Sequence, residues 1–421
     1  LARFFYNISI ISYQFLIWLL SPFNPKARLW INGRKHIFTE LARQISASSG
    51  SHRIAWFHCA SLGEFEQGRP VIEAFRQEFP DFKIMLTFFS PSGYEVRKNY
   101  AGADFIFYLP ADTAENAGKF IEIVNPSIAF FVKYEFWYNY LNILHQKHIP
   151  AISFSAIFRE KQIFFKSYGT FYRSILDFFT HIFVQNQSSF DLLRNAGIQQ
   201  ISVGGDTRFD RVRQIALSKK DIKEVNSFKN GEKLLIIGSC WKEDFDVLLP
   251  FINNFKEKLK IIIAPHEIHD QEIEAWRRQL TGKSLRFSEI NQLMDDITLR
   301  SNQVLFIDNI GMLSSLYQYA EFAWIGGAYG KGLHNTLEAA TFGLPIFFGN
   351  RNYLKFQEAR DLISLKGANP IGNTEEFTGI FEKLFFNENL RHEQSERILE
   401  YVKNNVGGTE KIIAFSKKLG L

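Results

Sequence analysis

The chain has 421 residues, 46% of them hydrophobic and 22% charged, and a net charge of +5. That length exceeds one ordinary core and points to two domains, and the composition excludes an intrinsically disordered protein. The charges are scattered, which excludes a nucleic-acid arm, and Cys59 and Cys240 carry neither metal-ligand spacing nor a disulfide framework.

The mildly basic balance favours a face toward anionic lipid or a phosphorylated substrate. Phe accounts for 44 residues, most of them inside periodic segments where they read as core. At the amino terminus, residues 4–23, FFYNISIISYQFLIWLLSPF, carry no charge. As a helix they would rise about 30 Å, the thickness of a bilayer core. Asn7, Ser9, Ser12 and Gln14 weaken a spanning helix and leave open one lying in the interface or docked on protein. No small-residue cleavage site follows, so the segment does not read as a secretory signal. Arg3 precedes it, and Lys26, Arg28, Arg34 and Lys35 follow. The positive-inside rule then places the body of the protein in the cytoplasm.

From Arg53 onward, short apolar strands alternate with amphipathic helices, the signature of a mostly parallel sheet. Strands are predicted at 54–58, 83–88, 105–109, 127–132, 151–156, 181–185 and 201–205, with helices such as 70–79, 136–147 and 187–196 between them. After a charged, strand-poor stretch the rhythm restarts, with strands at 233–239, 259–264, 303–307, 321–327 and 344–349. The tail, 374–418, reads as helices. The expected division is an anchor over 1–30, an α/β domain over 31–207, a linker over 208–231 and a second α/β domain over 232–421. The closing helices are expected to pack back on the first domain, and the cleft between domains is the natural ligand site.

Two segments carry most of the chemistry. HCASLGEFEQGRP (58–70) follows the first strand, and its turn leads into a helix read as beginning at Pro70 and Val71. Glu64 in that turn suits a general base, and equally suits a helix amino-terminal charge complementing the macrodipole. GGAYGKGLHNTLEAA (326–340) follows the strand at 321–327 and opens a helix. Its glycines let backbone approach a ligand, and the N–H groups at His334-Asn335-Thr336 face a phosphate in this reading, with Glu338 accepting from ribose hydroxyls. The competing reading is a tight strand-to-helix turn capped by Asn335. It lacks the Gly-Lys-Ser/Thr ending of a Walker A loop. Ser239 and Lys242 follow the first strand of the second domain, and His266 follows the second. His266 and His269 are spaced as a helical pair but lack a third ligand for a metal. Arg208, in GGDTRFDRV, is a cation for an anionic sugar or phosphate, or half of an ion pair between domains.

Taken together, Ser61-Leu62-Gly63-Glu64, Tyr134-Glu135-Phe136-Trp137, GDTRFD, Gly238-Ser239 and GG-x(6)-HN-x-LE-x-A, in that order, resemble the Kdo transferases of Gram-negative lipopolysaccharide synthesis. The likeness runs from the anchor to about residue 360. It implies a GT-B fold, two Rossmann-like domains facing across a cleft, with an amino-terminal membrane helix at the cytoplasmic face of the inner membrane. It also implies an inverting transfer of Kdo from CMP-Kdo to the lipid A precursor, lipid IVA, with no cofactor and no metal in the transfer. Glu64 matches the family's proposed base, and Ser61, Gly63 and Glu135 are acceptor-side or structural. Arg208, Ser239, Lys242, His266, Gly326, Gly327, Asn335, Thr336 and Glu338 are expected on the donor side. Inner-membrane lipid is a partner, and nucleic acid is not. Two positions depart from the pattern: Lys133 stands where many relatives have an acid, and His266 where many have an arginine. Lys242 or Arg208 would then supply the missing cation.

Two other readings compete. One is a different GT-B enzyme, a UDP-sugar transferase or a non-hydrolysing epimerase, which the apolar amino terminus disfavours. The other is a membrane-bound scaffold that holds a nucleotide without turnover.

Overall fold

The computed structural model describes residues 2–48, 53–218, 221–290 and 296–421. Two compact units result: residues 1–211 with 406–421, and residues 212–405. Unit 1 contains a seven-stranded parallel sheet in the order β3-β2-β1-β4-β5-β6-β7. Its strands are β1 Arg53–Cys59, β2 Phe82–Phe88, β3 Phe105–Tyr108, β4 Ile128–Val132, β5 Ala151–Ala156, β6 His181–Val184 and β7 Ile201–Val203. Unit 2 repeats the plan in the order β10-β11-β9-β8-β12-β13-β14. Its strands are β8 Lys233–Cys240, β9 Leu259–Pro265, β10 Ser284–Arg286, β11 Val304–Phe306, β12 Phe322–Ile325, β13 Ile346–Gly349 and β14 Ala368–Ile371. This is the two-domain α/β architecture of the GT-B class. Each central strand is covered by helices on both faces, so IAWFHC in β1 and LLIIG in β8 are buried almost without interruption.

Two parts of the sequence-predicted division can be set beside the structure: the linker, and the closing helices expected to pack back on the first domain. The stretch 208–231 is not a bare linker, because it holds the helices Arg208–Leu217 and Lys223–Lys229. The last helix, Gly408–Lys418, belongs to unit 1. Asp210 accepts the N–H groups of Gly407 and Thr409 at its start, and Ile412 and Ile413 join the apolar cluster around Phe57 and Phe130.

Four helices lead into the first site: α1 Ala2–Leu20, α2 Pro25–Asn32, α3 Ile37–Ala47 and α4 Leu62–Glu78. No single helix among the described residues is long and apolar enough to cross a membrane, although α1 and α2 together, bent by 120°, pass by length and composition. Asn24 makes the bend by accepting the N–H groups of Lys26 and Ala27 ahead of Pro25 at the first turn. One stripe of α1, residues 6, 7, 10, 14 and 17, is half-buried at helical spacing. From that stripe the Tyr6 hydroxyl donates to Asp112 at 2.5 Å, and Asn139 Nδ2 donates to Asn7 Oδ1 at 3.0 Å. Two of the polar residues that weaken a spanning helix, Asn7 and Gln14, therefore face the body of unit 1. The opposite side shows Phe4, Phe5, Phe15, Trp18 and Phe23 to the exterior.

α4 starts eight residues before the predicted Pro70 start. Ser61 caps it by accepting Gly63 N–H, and Phe65, Val71, Ile72 and Phe75 bury its inner face. Pro70 sits inside the helix and cannot donate to the Glu66 carbonyl. The Thr207 hydroxyl donates to the neighbouring Gln67 carbonyl at 2.5 Å. Tertiary packing holds this proline within the helix.

Candidate functional site

In unit 2 β11 lies between β9 and β10, and each sheet reverses its strand order at its centre, between β1 and β4 in unit 1 and between β8 and β12 in unit 2. Loops leave the carboxyl ends of the two flanking strands in opposite directions there, opening the crevice where α/β sheets bind ligands. Both chemistry-bearing segments of the sequence fall at these reversals.

In unit 1, β1 ends in His58-Cys59 and runs through Ser61 into α4. The Ser61 hydroxyl donates to the Glu64 carboxylate, so Ser-Leu-Gly-Glu forms a serine-to-glutamate pair across the first helical turn. Glu64 is half-buried there, where the macrodipole favours a carboxylate. The cap holds the Glu64 carboxylate at the start of α4, beyond the carboxyl end of β1, as the helix-charge reading describes. Gly63 is exposed beside it.

From β4 the chain passes through Lys133, at a left-handed φ of 69°, into Tyr134 and Glu135. Glu135 is buried, and its Oε2 accepts Trp137 Nε1–H at 2.6 Å and lies 3.0 Å from His58 Nε2. His58 Nδ1 lies 2.9 Å from Thr87 Oγ1, which already accepts Trp56 Nε1–H at 2.8 Å. His58 Nε2 also lies 3.2 Å from Trp137 Nε1–H, and the Thr87 hydroxyl has the Phe57 carbonyl as a second acceptor at 3.5 Å, so these contacts accommodate either imidazole tautomer. His58, which the sequence reading left out, is thus the buried neighbour of Glu135. Its signal was weak: a histidine in an otherwise apolar strand, paired in register with Thr87.

Arg208 opens the helix after β7 and pairs with Asp206 at 2.7 Å within unit 1. Burial pushes the Asp206 carboxyl up, but Arg208 and the Gln67 amide outweigh it and hold it below the ordinary range.

In unit 2, Asp244 organises the site. It is fully buried, and its carboxylate accepts Gly327 N–H at 2.9 Å, Trp241 N–H at 3.0 Å and Trp324 Nε1–H at 3.2 Å, tying β8 to β12. Burial pushes its carboxyl up to about 6 against the pull of those donors. Sequence reasoning missed Asp244, though an acid three residues after the helix cap is a recognisable local signal. Ser239 takes a φ of 50°, an uncommon conformation for a serine, at the bulge that ends β8. Gly326 must be glycine, because a Cβ there would lie 2.1 Å from the Ser239 carbonyl oxygen. Gly327, at φ 93°, lets the loop fold onto itself, with Gly332 N–H donating to its carbonyl at 2.9 Å.

The helix this loop opens is a single turn, Leu337–Ala340, too short to build the dipole the sequence reading relied on. Two of the N–H groups near its start are also engaged: His334 donates to the Gly326 carbonyl, and Leu337 to Asn335 Oδ1. Asn335 therefore caps, and its amide also holds Glu338 at 3.1 Å. Thr336 is fully buried with an unpartnered hydroxyl.

Three rings stand together beside this loop. Trp241 stacks on His266 with centroids 4.3 Å apart, His266 lies 4.3 Å from His334, and Trp241 Nε1–H donates to His334 Nε2 at 3.1 Å. Burial lowers both imidazoles, His334 to about 4 with His266 adding to the effect. His266 and His269 are not a helical pair, since His266 lies in a bend and His269 caps the helix Asp270–Arg277 and contacts Glu267. Lys242 is exposed and bonded to Asp246 at 2.5 Å, one turn along its own helix. The open cavities of unit 2, about 580 and 830 Å³, are lined by residues such as Phe255, Thr378, Phe386 and Leu390, and share none with this loop.

Residues 35–211 match the protein family described as 3-deoxy-D-manno-octulosonic-acid transferase (kdotransferase). A 3-deoxy-D-manno-octulosonic acid transferase of Rickettsia felis is 24% identical over 372 residues, covering 85% of this chain and 77% of the relative. The enzyme of that name from Haemophilus influenzae is 23% identical over 430 residues, covering 99% and 98%. Among solved structures, the UDP-GlcNAc 2-epimerase of Neisseria meningitidis superposes with a TM-score of 0.61 over 87% of this chain and all of its own. At 12% identity that match speaks to fold alone.

Proposed function

We propose, from the match of residues 35–211 to the Kdo transferase family model and the likeness to transferases of that name, that the chain moves Kdo from CMP-Kdo to a hydroxyl of the lipid A precursor lipid IVA with inversion. Glu64 takes the proton of the acceptor hydroxyl as that oxygen bonds to the anomeric carbon of Kdo. The bond from that carbon to the phosphate oxygen breaks, and CMP departs as an anion. Stabilisation of that anion falls to fixed dipoles and cations of the β8–β12 site rather than to a covalent intermediate or a metal. Ser61 and the helix dipole fix Glu64, while Glu135 and His58 shape the floor beside it. Ser239, His266, Gly326, Gly327, Asn335, Thr336 and Glu338 are assigned to the donor.

One observation carries the reading: four of the five segments that resemble the family pattern lie at the carboxyl ends of β1, β4, β8 and β12, the strands at the order reversals, while GDTRFD follows the edge strand β7. The apolar outer side of α1 supports a seat on the cytoplasmic face of the inner membrane. A cavity of about 380 Å³ beside it, lined by Arg34, Lys35, His36 and Lys119 and by no carboxylate, suits anionic headgroups.

The test is mass spectrometry of lipid IVA incubated with CMP-Kdo and the protein, with UDP-sugars as alternative donors. Mass increments of Kdo, with CMP released only when acceptor is present, are the expected result. Glu64→Gln should lower kcat by about 10²- to 10⁴-fold with donor binding little changed. Near wild-type transfer by that variant would remove Glu64 from the role of base.

A further inference from the structure

The donor assigned above carries two negative charges, a phosphodiester and a carboxylate, and the ring cluster that would receive them holds little positive charge. Trp241 is neutral. Burial keeps His266 and His334 in their neutral forms near pH 7. The Lys242 ammonium is bonded to Asp246.

One cation does sit on the cluster. Lys331, between Gly330 and Gly332 in the glycine loop, holds its Nζ 4.3 Å from the centre of the Trp241 ring. An ammonium over an indole face is held by the ring quadrupole and keeps its N–H donors directed outward. The side chain is exposed, so an incoming anion can reach it without prior desolvation of a buried charge. The flanking glycines allow this placement: Gly332 adopts a φ of 136°, and a Cβ there would crowd Lys355 Nζ at 3.0 Å. Glu267 is near enough to feel Lys331 and is engaged with His269 at 3.2 Å, and Glu243 Oε1 would lie 4.0 Å from a Cβ on Gly330.

We propose that Lys331 is the donor-binding cation of this chain, its ammonium passing from the Trp241 face to the phosphate of the bound cytidine nucleotide. The assignment rests on the Kdo transferase reading, and it takes over the role that the sequence reading offered to Lys242 or Arg208. It also explains how a histidine is tolerated at position 266. The cation comes from the glycine loop, on the same aromatic stack, instead of from the end of β9.

Two measurements on the full chain test it. Calorimetry with CMP and with cytidine isolates the phosphate, and steady-state kinetics in CMP-Kdo isolates the donor. Wild type should bind CMP more tightly than cytidine. Lys331→Ala should erase most of that preference and raise KM for CMP-Kdo by about 10- to 100-fold, with kcat changed far less. Lys331→Arg should recover both. So should His266→Arg in the Lys331→Ala background, since a guanidinium at 266 stacks on the same indole. An unchanged KM and CMP preference in Lys331→Ala overturns the assignment, as does a loss that neither arginine repairs. If wild type binds CMP but transfers no Kdo, the family-based reading fails instead, and the calorimetric arm still decides the fate of Lys331.

Discussion

Two buried groups of the β8–β12 site titrate in opposite senses, and that opposition tests its packing. Burial, then His266, pushes His334 from 6.5 to about 4, while burial raises Asp244 from 3.8 to about 6. Between those limits His334 is neutral in the fold and protonated in the unfolded chain. Its contribution to stability is complete above pH 6.5 and is lost as pH falls toward 4. Asp244 behaves in reverse: from 6 down to 3.8 the fold holds a proton that the unfolded chain releases, so acidification adds stability. Moving from pH 7.5 to 4.5 should therefore remove at most about 2–3 kcal/mol through His334, less what solvent screening of a partly exposed ring takes away, and add about 2 kcal/mol through Asp244. Wild type hides both terms. His334→Gln keeps an acceptor for Trp241 Nε1–H but cannot titrate, so relative to wild type it should gain stability over that interval, by at most about 2–3 kcal/mol. Asp244→Asn should lose about 2 kcal/mol over the same interval. Urea unfolding at each pH, read by hydrogen exchange in peptides from β8 and β12, reports unit 2 apart from unit 1. A His334→Gln difference that stays flat with pH would refute the burial argument.

Two further outcomes follow from packing. Gly326→Ala forces a methyl against the Ser239 carbonyl and the Asp244 carboxylate, so it should abolish CMP binding and destabilise unit 2 by about 1–3 kcal/mol; calorimetry and denaturant midpoints check it. Replacing Phe15, Trp18 and Phe23 together by serine removes exposed apolar area without touching the face of α1 docked on unit 1. Flotation with anionic vesicles should fall by at least about tenfold, while the melting temperature stays close to wild type.

Most of the fold was legible because each sheet is covered on both faces, which turns its strands into continuous apolar runs such as KLLIIGS and LKIIIA. The two strands the sequence reading missed, β10 and β14, are sheet edges. SLR and ANPI are short and partly exposed, and an edge tolerates Pro370 because one side of the strand needs no N–H donor. The early start of α4 was hidden for a related reason. Pro70 is a strong local stop signal, and what opposes it is tertiary: Phe65, Val71, Ile72 and Phe75 on either side of it are buried in the core of unit 1, and Thr207 bonds the Gln67 carbonyl.

The site divides along the same line. Residues that act through local sequence could be named in advance: Ser61 with Glu64 across one turn, Asn335 with Glu338 across another, and Gly326-Gly327 at the end of a strand. Residues that act by reaching another element could not. His58 matters because β1 and β4 are neighbours at the strand-order reversal, which lets it touch Glu135, 77 positions later. Asp244 matters because β8 lies beside β12, so one carboxylate can hold Trp241 and Gly327 together. Lys331 lay in plain view inside GGAYGKGLHN, yet its charge has meaning only once Trp241, 90 positions earlier, is placed beneath it. The same logic governs α1. Its polar residues argued against a membrane span when counted, and in the fold Asn7 and Gln14 turn toward unit 1, leaving Ser9 and Ser12 among the apolar residues of the outer side. Counting side chains along a segment averages over two faces that the fold keeps apart, and on this helix the proposed membrane seat rests on that separation.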